Sequence, residues 1–392
     1  PKRAAMKRHL ALLDHALGSL RRRAGKSLAL ASGLAFVVAL FASALLLTDA
    51  LEAAYARDTA AMPDLTVQRL VAGRPVLIDA EAAEAVADLP AVRSVTPRVW
   101  GYHFFRALEA NVTIVGVAPT GRPGRAVAEG RLPREAGEVA VGLALSELLG
   151  LRVGDELGLP VDGDVRFSRV VGTFGESSAL RSADLVVATP AHARTLLGVP
   201  AGRATDLAVD LTTPDEAPIV TERIGERLRG ARVLDRRLLR RTYELTFDSR
   251  GGLLATLLVP ALAAFLLLAW ERLTGLGDAE RREIGVLKAV GWGTADVLAA
   301  RLWESAAIAT TGAVLGLVVA YGYVFWAGAP GLADALLGWS AIQPPLDLRP
   351  RLDPLQAFAL LGAVIVPFVA ISVVPAWRAA LVDPDRALRG VE

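Results

Sequence analysis

Between Ser27 and Thr48 the chain carries no charged side chain. A run of about 22 residues, at about 1.5 Å per helical residue, is long enough to cross roughly 30 Å of hydrocarbon. Three more such stretches follow, over 251–270, over 301–329 (uncharged from Ser305) and over 354–377. Backbone in lipid must satisfy its own hydrogen bonds, so each stretch is read as a helix, with Pro260 an expected kink and Pro367 and Pro375 inside the last. Ala42-Ser43-Ala44 resembles a signal-peptide cleavage site. The apolar run continues through Leu45–Leu47, however, beyond the roughly 7–15 residues of a signal core, which favours an uncleaved span. The fold class follows: an α-helical membrane protein with four transmembrane helices, plus a large mixed α+β extracytoplasmic domain inserted between the first and second.

That domain, 49–250, is polar and long enough for one or two lobes. Alternation at Leu65–Leu70, Arg98–Phe105, Asn111–Val117, Val165–Thr173, Asp184–Ala188 and Asp206–Leu211 predicts strands. Asp79–Leu89, Leu143–Leu149, Pro190–Leu197 and Pro214–Leu228 read as helices between them, which suggests βαβ-like units. Trp100-Gly101-Tyr102-His103-Phe104-Phe105 is the densest aromatic cluster, with Trp100, Tyr102 and Phe104 on one face of a strand and His103 and Phe105 on the other, and is read as a core strand in preference to a substrate surface. Residues 1–26 are basic, with Leu10, Leu13, Leu17 and Leu20 at helical spacing, and are expected to form an amphipathic helix along the membrane. Gly25-Lys26-Ser27 mimics the end of a phosphate-binding loop, but Leu20 stands where that motif needs glycine.

Lys and Arg flank the spans at the N-terminal segment, the 271–300 loop and the tail 378–392, which puts all three on the cytoplasmic side. Arg349 and Arg351, in the outer 330–353 loop, are exceptions. A net charge of +2 without a clustered basic face gives no reason to expect nucleic acid. Cysteine is absent, and His9, His15, His103 and His192 show no metal-ligand spacing. No ionisable residue lies near a span centre, which disfavours an ion-coupled carrier. No catalytic constellation can be assembled.

The most informative stretch is Glu280–Trp292, in the loop between the second and third spans. Ile284, Leu287 and Val290 recur at helical steps among Arg281, Arg282, Glu283 and Lys288, and Gly291 and Gly293 end or bend the helix. Such a helix either lies on headgroups or docks into a protein. Its small apolar face and Glu283 favour a protein. In that reading Glu283 and Lys288 pair with a partner's charges, and Ile284 and Leu287 fill a cleft.

The run Arg281-Arg282-Glu283-Ile284-Gly285-Val286-Leu287-Lys288-Ala289-Val290-Gly291 resembles the cytoplasmic loop of FtsX-like/MacB-type ABC transporter permeases. Two further stretches carry the resemblance. One is Trp377-Arg378-Ala379-Ala380 with Asp383-Pro384 and Arg386-Ala387-Leu388-Arg389; the other is Gly137-Glu138-Val139-Ala140-Val141 through Leu148, Gly150, Leu151, Val153, Gly154 and Asp155. The resemblance implies a coupling helix whose ATPase-docking residues are Arg282, Glu283, Ile284, Gly285, Leu287, Lys288, Ala289, Gly291 and Trp292. Trp292 departs from the family's usual small residue. It further implies two copies of a separate ATPase subunit that binds ATP and magnesium, and no cofactor in this chain, where the nucleotide-binding motifs are missing. A second permease subunit, identical or not, is implied as well. So is a MacB-like periplasmic core domain that meets an adaptor, substrate-binding protein or hydrolase outside a bacterial inner membrane. The first span is expected to continue outward as a stalk over Asp49–Thr59. The work implied is export or lipoprotein extraction by mechanotransmission; the alternatives are activation of a cell-wall hydrolase without transport, and a sensor of extracellular peptides.

Overall fold

Long apolar runs become long helices, which continue through Pro260, Pro367 and Pro375, and alternating runs punctuated by glycine become strands. The computed structural model describes residues 2–60, 62–106, 109–118, 127–161, 163–174, 184–274, 278–337 and 348–381. Helices α1 (Lys2–Arg22) and α2 (Ala24–Ala60) open the chain. There follow β1 (Leu65–Val71), β2 (Arg74–Val76), β3 (Ile78–Asp79), α3 (Ala82–Ala87), β4 (Val92–Arg98), β5 (Trp100–Phe105), β6 (Ala110–Gly116) and β7 (Val127–Gly130). Then come β8 (Glu138–Gly142), α4 (Leu143–Leu149), β9 (Glu156–Val161), β10 (Asp164–Phe174), β11 (Leu185–Ala188) and α5 (Pro190–Leu197). The domain ends with β12 (Arg203–Ala204), β13 (Asp206–Leu211), α6 (Ala217–Arg227) and β14 (Ala231–Asp235). Helices α7 (Arg236–Thr274), α8 (Asp278–Ala289), α9 (Thr294–Phe325), α10 (Leu332–Leu337) and α11 (Pro354–Ala380) complete the chain. It divides into two compact units, one of Pro1–Ala50, Asp248–Leu332 and Arg349–Glu392, the other of Leu51–Phe247 and Ala333–Leu348.

The second unit holds two lobes. In the first, strands run β14-β1-β13-β4, all antiparallel, with β2 hairpinned onto β1. The connections β1-α3-β4 and β13-α6-β14 are therefore two interleaved split β-α-β units, the ferredoxin-like arrangement. Leu65, Val67, Leu207, Val209, Val86, Val220 and Ile224 fill the space between sheet and helices. The second lobe is inserted between β4 and β13. Its sheet runs β5-β6-β11-β8-β10-β7, with β9 on β10, and the pairs β6/β11 and β8/β10 are parallel. Helices α4 and α5 cover one face through Leu145, Ala193 and Leu196.

The chain crosses between lobes at Arg98–Trp100 and returns at Ala204–Asp206, and the two crossings are fastened together. Thr205 N–H donates to Arg98 O at 2.8 Å, and its hydroxyl donates to Trp100 O at 2.7 Å. The Asp206 carboxylate, 1% exposed, accepts from Arg98 Nε at 2.7 Å, Arg98 Nη2 at 2.8 Å and Trp100 Nε1 at 2.8 Å. The expected single strand Arg98–Phe105 is thus two strands of different sheets. The expected core character of the aromatic cluster also needs correction. As β5 pairs, among the described residues, with β6 alone at the sheet edge, Tyr102 and Phe104 are exposed while Gly101 faces Leu197 of α5. The helix expected over Asp79–Leu89 begins only at Ala82, because Asp79 pairs with Arg203 of β12 instead.

At the start of β8, Glu138 takes a bidentate bond from the Arg131 guanidinium and accepts the N–H groups of Arg134 at 3.0 Å and Glu135 at 3.2 Å. The Arg131 bond first and the Arg134 N–H next, against burial, hold its carboxyl down to about 2 from the ordinary 4.5. A depressed carboxylate contributes stability that is full above the unfolded value and is lost as pH falls through the folded one. The thermal stability of the purified protein is therefore expected to fall as pH drops from about 4.5 to about 2. Glu138→Gln is expected to flatten that slope; an unchanged slope would remove the assignment.

In the first unit, three helical stretches among the described residues are long and apolar enough to cross a membrane: Ala24–Arg57, Thr294–Phe325 and Pro354–Arg378. The stretch expected over 251–270 lies within α7, helical through Pro260, and several of its side chains are outside the described residues. Helix α2 runs unbroken to Ala60. Leu34, Val38, Ala309, Ala313, Val364 and Phe368 form the centre of the bundle, with Phe265 of α7 stacked on Phe368 at 6.3 Å. Gly312 and Gly316 of α9 face α2 so closely that a Cβ on Gly316 would lie 2.5 Å from Ala35 O. Helix α1, expected to be an amphipathic helix along the membrane, packs on α9, and Leu20 of its leucine stripe reaches the bundle core. Leu12, Ala16 and Ser19 are its buried residues among those described, and Leu17 is exposed.

Candidate coupling site

Helix α8 sits between the two longer helices α7 and α9 and is bounded by specific stops. Lys288 lies in its last turn, where a cation complements the helix dipole. Gly291 adopts φ +102°, and the bonds Trp292 N–H to Leu287 O (3.0 Å) and Gly291 N–H to Lys288 O (3.0 Å) make a Schellman stop that only glycine enters without strain. Two residues later Gly293 caps α9, and its N–H donates to the Asp296 carboxylate at 3.2 Å.

The helix has two faces. On the inner one, Ile284 is 1% exposed and packs with Val297 of α9 and Ala380 of α11, flanked by Trp292 and Leu298. Gly285 is buried beside it, and Leu287 and Lys288 are half-buried. The Trp292 ring meets His15 of α1 at 5.0 Å, inclined by 56°. Glu283 receives Arg22 Nη2 at 2.6 Å and Arg23 Nη2, so the basic end of α1 is latched to α8. Burial pushes the Glu283 carboxyl up, but the Arg22 hydrogen bond and the charges of Arg23, Arg22 and Arg301 outweigh it and hold it below its ordinary value. The latch is thus charged at neutral pH and weakens as acid protonates the carboxylate. On the outer face Arg282, Val286 (52%), Ala289, Val290 (77%) and Gly291 are exposed.

Over residues 253–384 the chain matches a family model described as FtsX-like permease C-terminal. Over 27–227 it matches one described as MacB-like periplasmic core domain, which alone covers more than half of the 392 residues. The chain belongs to the FtsX-like/MacB-type permease family of ABC transporters. Two solved structures are similar to part of it. The periplasmic region of MacB from Actinobacillus actinomycetemcomitans is 13% identical, with 46% of this chain and 92% of that one covered, at a TM-score of 0.33. The extracellular domain of the noncanonic ABC-type transporter YknZ from Gram-positive bacteria is 10% identical, with 44% and 99% covered, also at 0.33. No curated protein matches the sequence.

As a member of this family, the permease is a membrane-embedded protein with a periplasmic domain and is not itself an enzyme. The structure brings Glu283, Ile284, Gly285 and Trp292 together on the face of α8 turned toward its own chain. Arg282, Ala289 and Gly291 lie on the open face, with Leu287 and Lys288 between. Arg22 and Arg23 were not among the expected site residues. A triple-arginine helix end, Arg21-Arg22-Arg23, placed on the same side as Glu283 was the signal available for them. Asp383-Pro384 and Arg386–Arg389 of the tail motif lie outside the described residues.

Proposed function

We propose that the permease is a mechanotransmitting subunit and that α8 is its coupling helix. The observation that carries this is the division of labour on one short helix. Ile284 and Glu283 fix α8 to α1, α9 and α11, while Arg282, Val286, Ala289 and Val290 form an open strip of mixed apolar and cationic character. A lever needs both: a face rigidly tied to the helices it moves and a face for the element that pushes it. The pusher is a separate ATPase subunit, two copies serving two permease subunits of the same or related sequence, and ATP and magnesium are bound there. Residues 251–270 form the second of four spans, both termini are cytoplasmic, and residues 49–250 work outside the membrane. The output is export or extraction of a lipoprotein or lipid, with a periplasmic adaptor or substrate-binding protein as the outer partner.

Val286→Asp and Val290→Asp place a charge on the open strip without touching the core. Each is expected to reduce co-purification of the ATPase about 30-fold, as loss of about 2 kcal/mol at an interface anchor does. Thermal unfolding is expected to stay within about 0.5 kcal/mol of the parent, as for other surface changes. Undiminished capture of the ATPase by both variants would defeat the docking assignment.

A further inference from the structure

We propose that the inserted lobe carries an acid-sensitive clamp: protonation of His103 and His192 loosens helix α5 from the sheet beneath it. The chain has four histidines, and these two are the ones between Asp49 and Arg250. Both lie on the side of the sheet that α5 covers. His192 stands in the first turn of α5, where its N–H donates to the Thr189 hydroxyl at 3.4 Å. Its Nε2 shares a hydrogen bond of 2.8 Å with the hydroxyl of Ser168, a buried residue of β10. The ring thus pins the start of α5 to the sheet. His103 belongs to β5, where side chains alternate between the two sides. Of its neighbours on the same side, Gly101 faces Leu197 of α5, and Phe105 packs against the apolar cluster that includes Ala193 and Leu196. The Nε2 of His103 is buried and has no hydrogen-bond partner among the described residues.

Neither place suits a cation. At His192 the neighbouring charge is Arg166 of β10, of like sign, and the first turn of α5 adds the positive end of the helix. Strand β9 turns Leu157, Leu159 and Val161 to this side, and Arg194 of α5 is engaged by Pro200 O and Arg203 O. At His103 the residue opposite on β6 is Val112, α5 offers Leu197, and Arg106 at the end of the strand is exposed. Among the described residues no carboxylate favours the charged form of either ring. Burial, joined at His192 by Arg166, therefore holds both imidazoles below their ordinary 6.5. A loosened lobe exposes the rings to protons that the packed lobe refuses. The stability they allow is full above 6.5 and is lost as pH falls from there toward the folded values. Glu138 acts in a lower window, below 4.5, so the two effects separate. The lobe belongs to the periplasmic domain, and the acidity it meets is that outside the membrane. The coupling role of α8 is not used.

The test is hydrogen exchange of the full chain in detergent at about pH 7.5 and about pH 5.5, with each amide corrected for its intrinsic rate. Opening of α5 and β5 is expected to rise at the lower pH. The limit is about tenfold for each ring released, since a free imidazole titrates at 6.5. Helix α6, packed in the first lobe through Ala217, Val220 and Ile224, has no histidine in its lobe and is expected to keep its opening unchanged. His192→Gln leaves a hydrogen-bonding group beside Ser168, and His103→Phe fills its place with apolar carbon. Each is expected to remove part of the rise, and the two together all of it. Equal opening of α5 at the two pH values in the parent chain would overturn the proposal, and that measurement needs no variant. So would a rise in the double variant as large as in the parent, or a rise shared equally by α6.

Discussion

Gly316→Leu is expected to abolish recovery of folded permease from detergent extracts, and Gly316→Ala to destabilise it by about 1–3 kcal/mol, the usual cost of overpacking. The reason is what a new Cβ would meet: Ala35 O at 2.5 Å, Val38 Cβ at 2.7 Å and Val38 Cγ1 at 3.0 Å. A carbonyl oxygen and a β-carbon cannot rotate aside, so α2 and α9 must separate. One turn earlier Gly312 repeats the arrangement, with Ala31 O at 2.7 Å. Between helices in lipid, close packing is the main attraction available, since apolar surface gains little by leaving apolar solvent. Gly322→Ala is the control, because only the Trp326 ring, 3.6 Å away at its nearest, lies near that position. Thermal unfolding in detergent separates the cases; equal effects at Gly316 and Gly322 would show that helix propensity, and not contact, is being measured.

Asp206→Ala is expected to destabilise the outer domain by about 3 kcal/mol, because it removes a buried carboxylate that a half-buried guanidinium and an indole N–H share as acceptor. For a domain of this size that corresponds to a fall of roughly 6–12 °C in the unfolding midpoint. Trp100→Phe removes one of the bonds and is expected to cost about 1 kcal/mol. Arg98→Met combined with Asp206→Leu is expected to recover much of the loss, as apolar replacement of a buried ion pair often does. An unfolding midpoint for Asp206→Ala within experimental scatter of the parent would mean that the lobes are held by their cores alone.

Much of the outline was legible because periodicity reports local structure directly. The bounds of α4 and α5 follow from Leu143–Leu149 and Pro190–Leu197 as read, each closed by a glycine, Gly150 and Gly198, in the left-handed region. Alternation cannot say which sheet a strand joins. It continues without a fault across Val99, where the chain leaves one sheet for another, so one strand was expected where there are two. The site shows the same limit. Glu283 and Ile284 were marked by residue type, but their partners Arg22 and Ala380 are far away in sequence, and no pattern within α8 reveals that they are already engaged. What was legible was that the helix matters; which of its faces is free required the neighbours.

The insertion of one lobe within the other fixes an order of events during biogenesis. Apart from its short hairpin with β2, strand β1 finds its partners in β13 and β14, beginning with pairs such as Val67 to Leu207. Roughly 140 residues must be delivered first, on the order of ten seconds at about 5–20 residues per second. The inserted lobe closes from segments nearer to one another and can condense in that interval. The first lobe meanwhile waits with open strand edges, the most aggregation-prone stage of its life, and is sealed only when the returning chain sets Thr205 and Asp206 against Arg98.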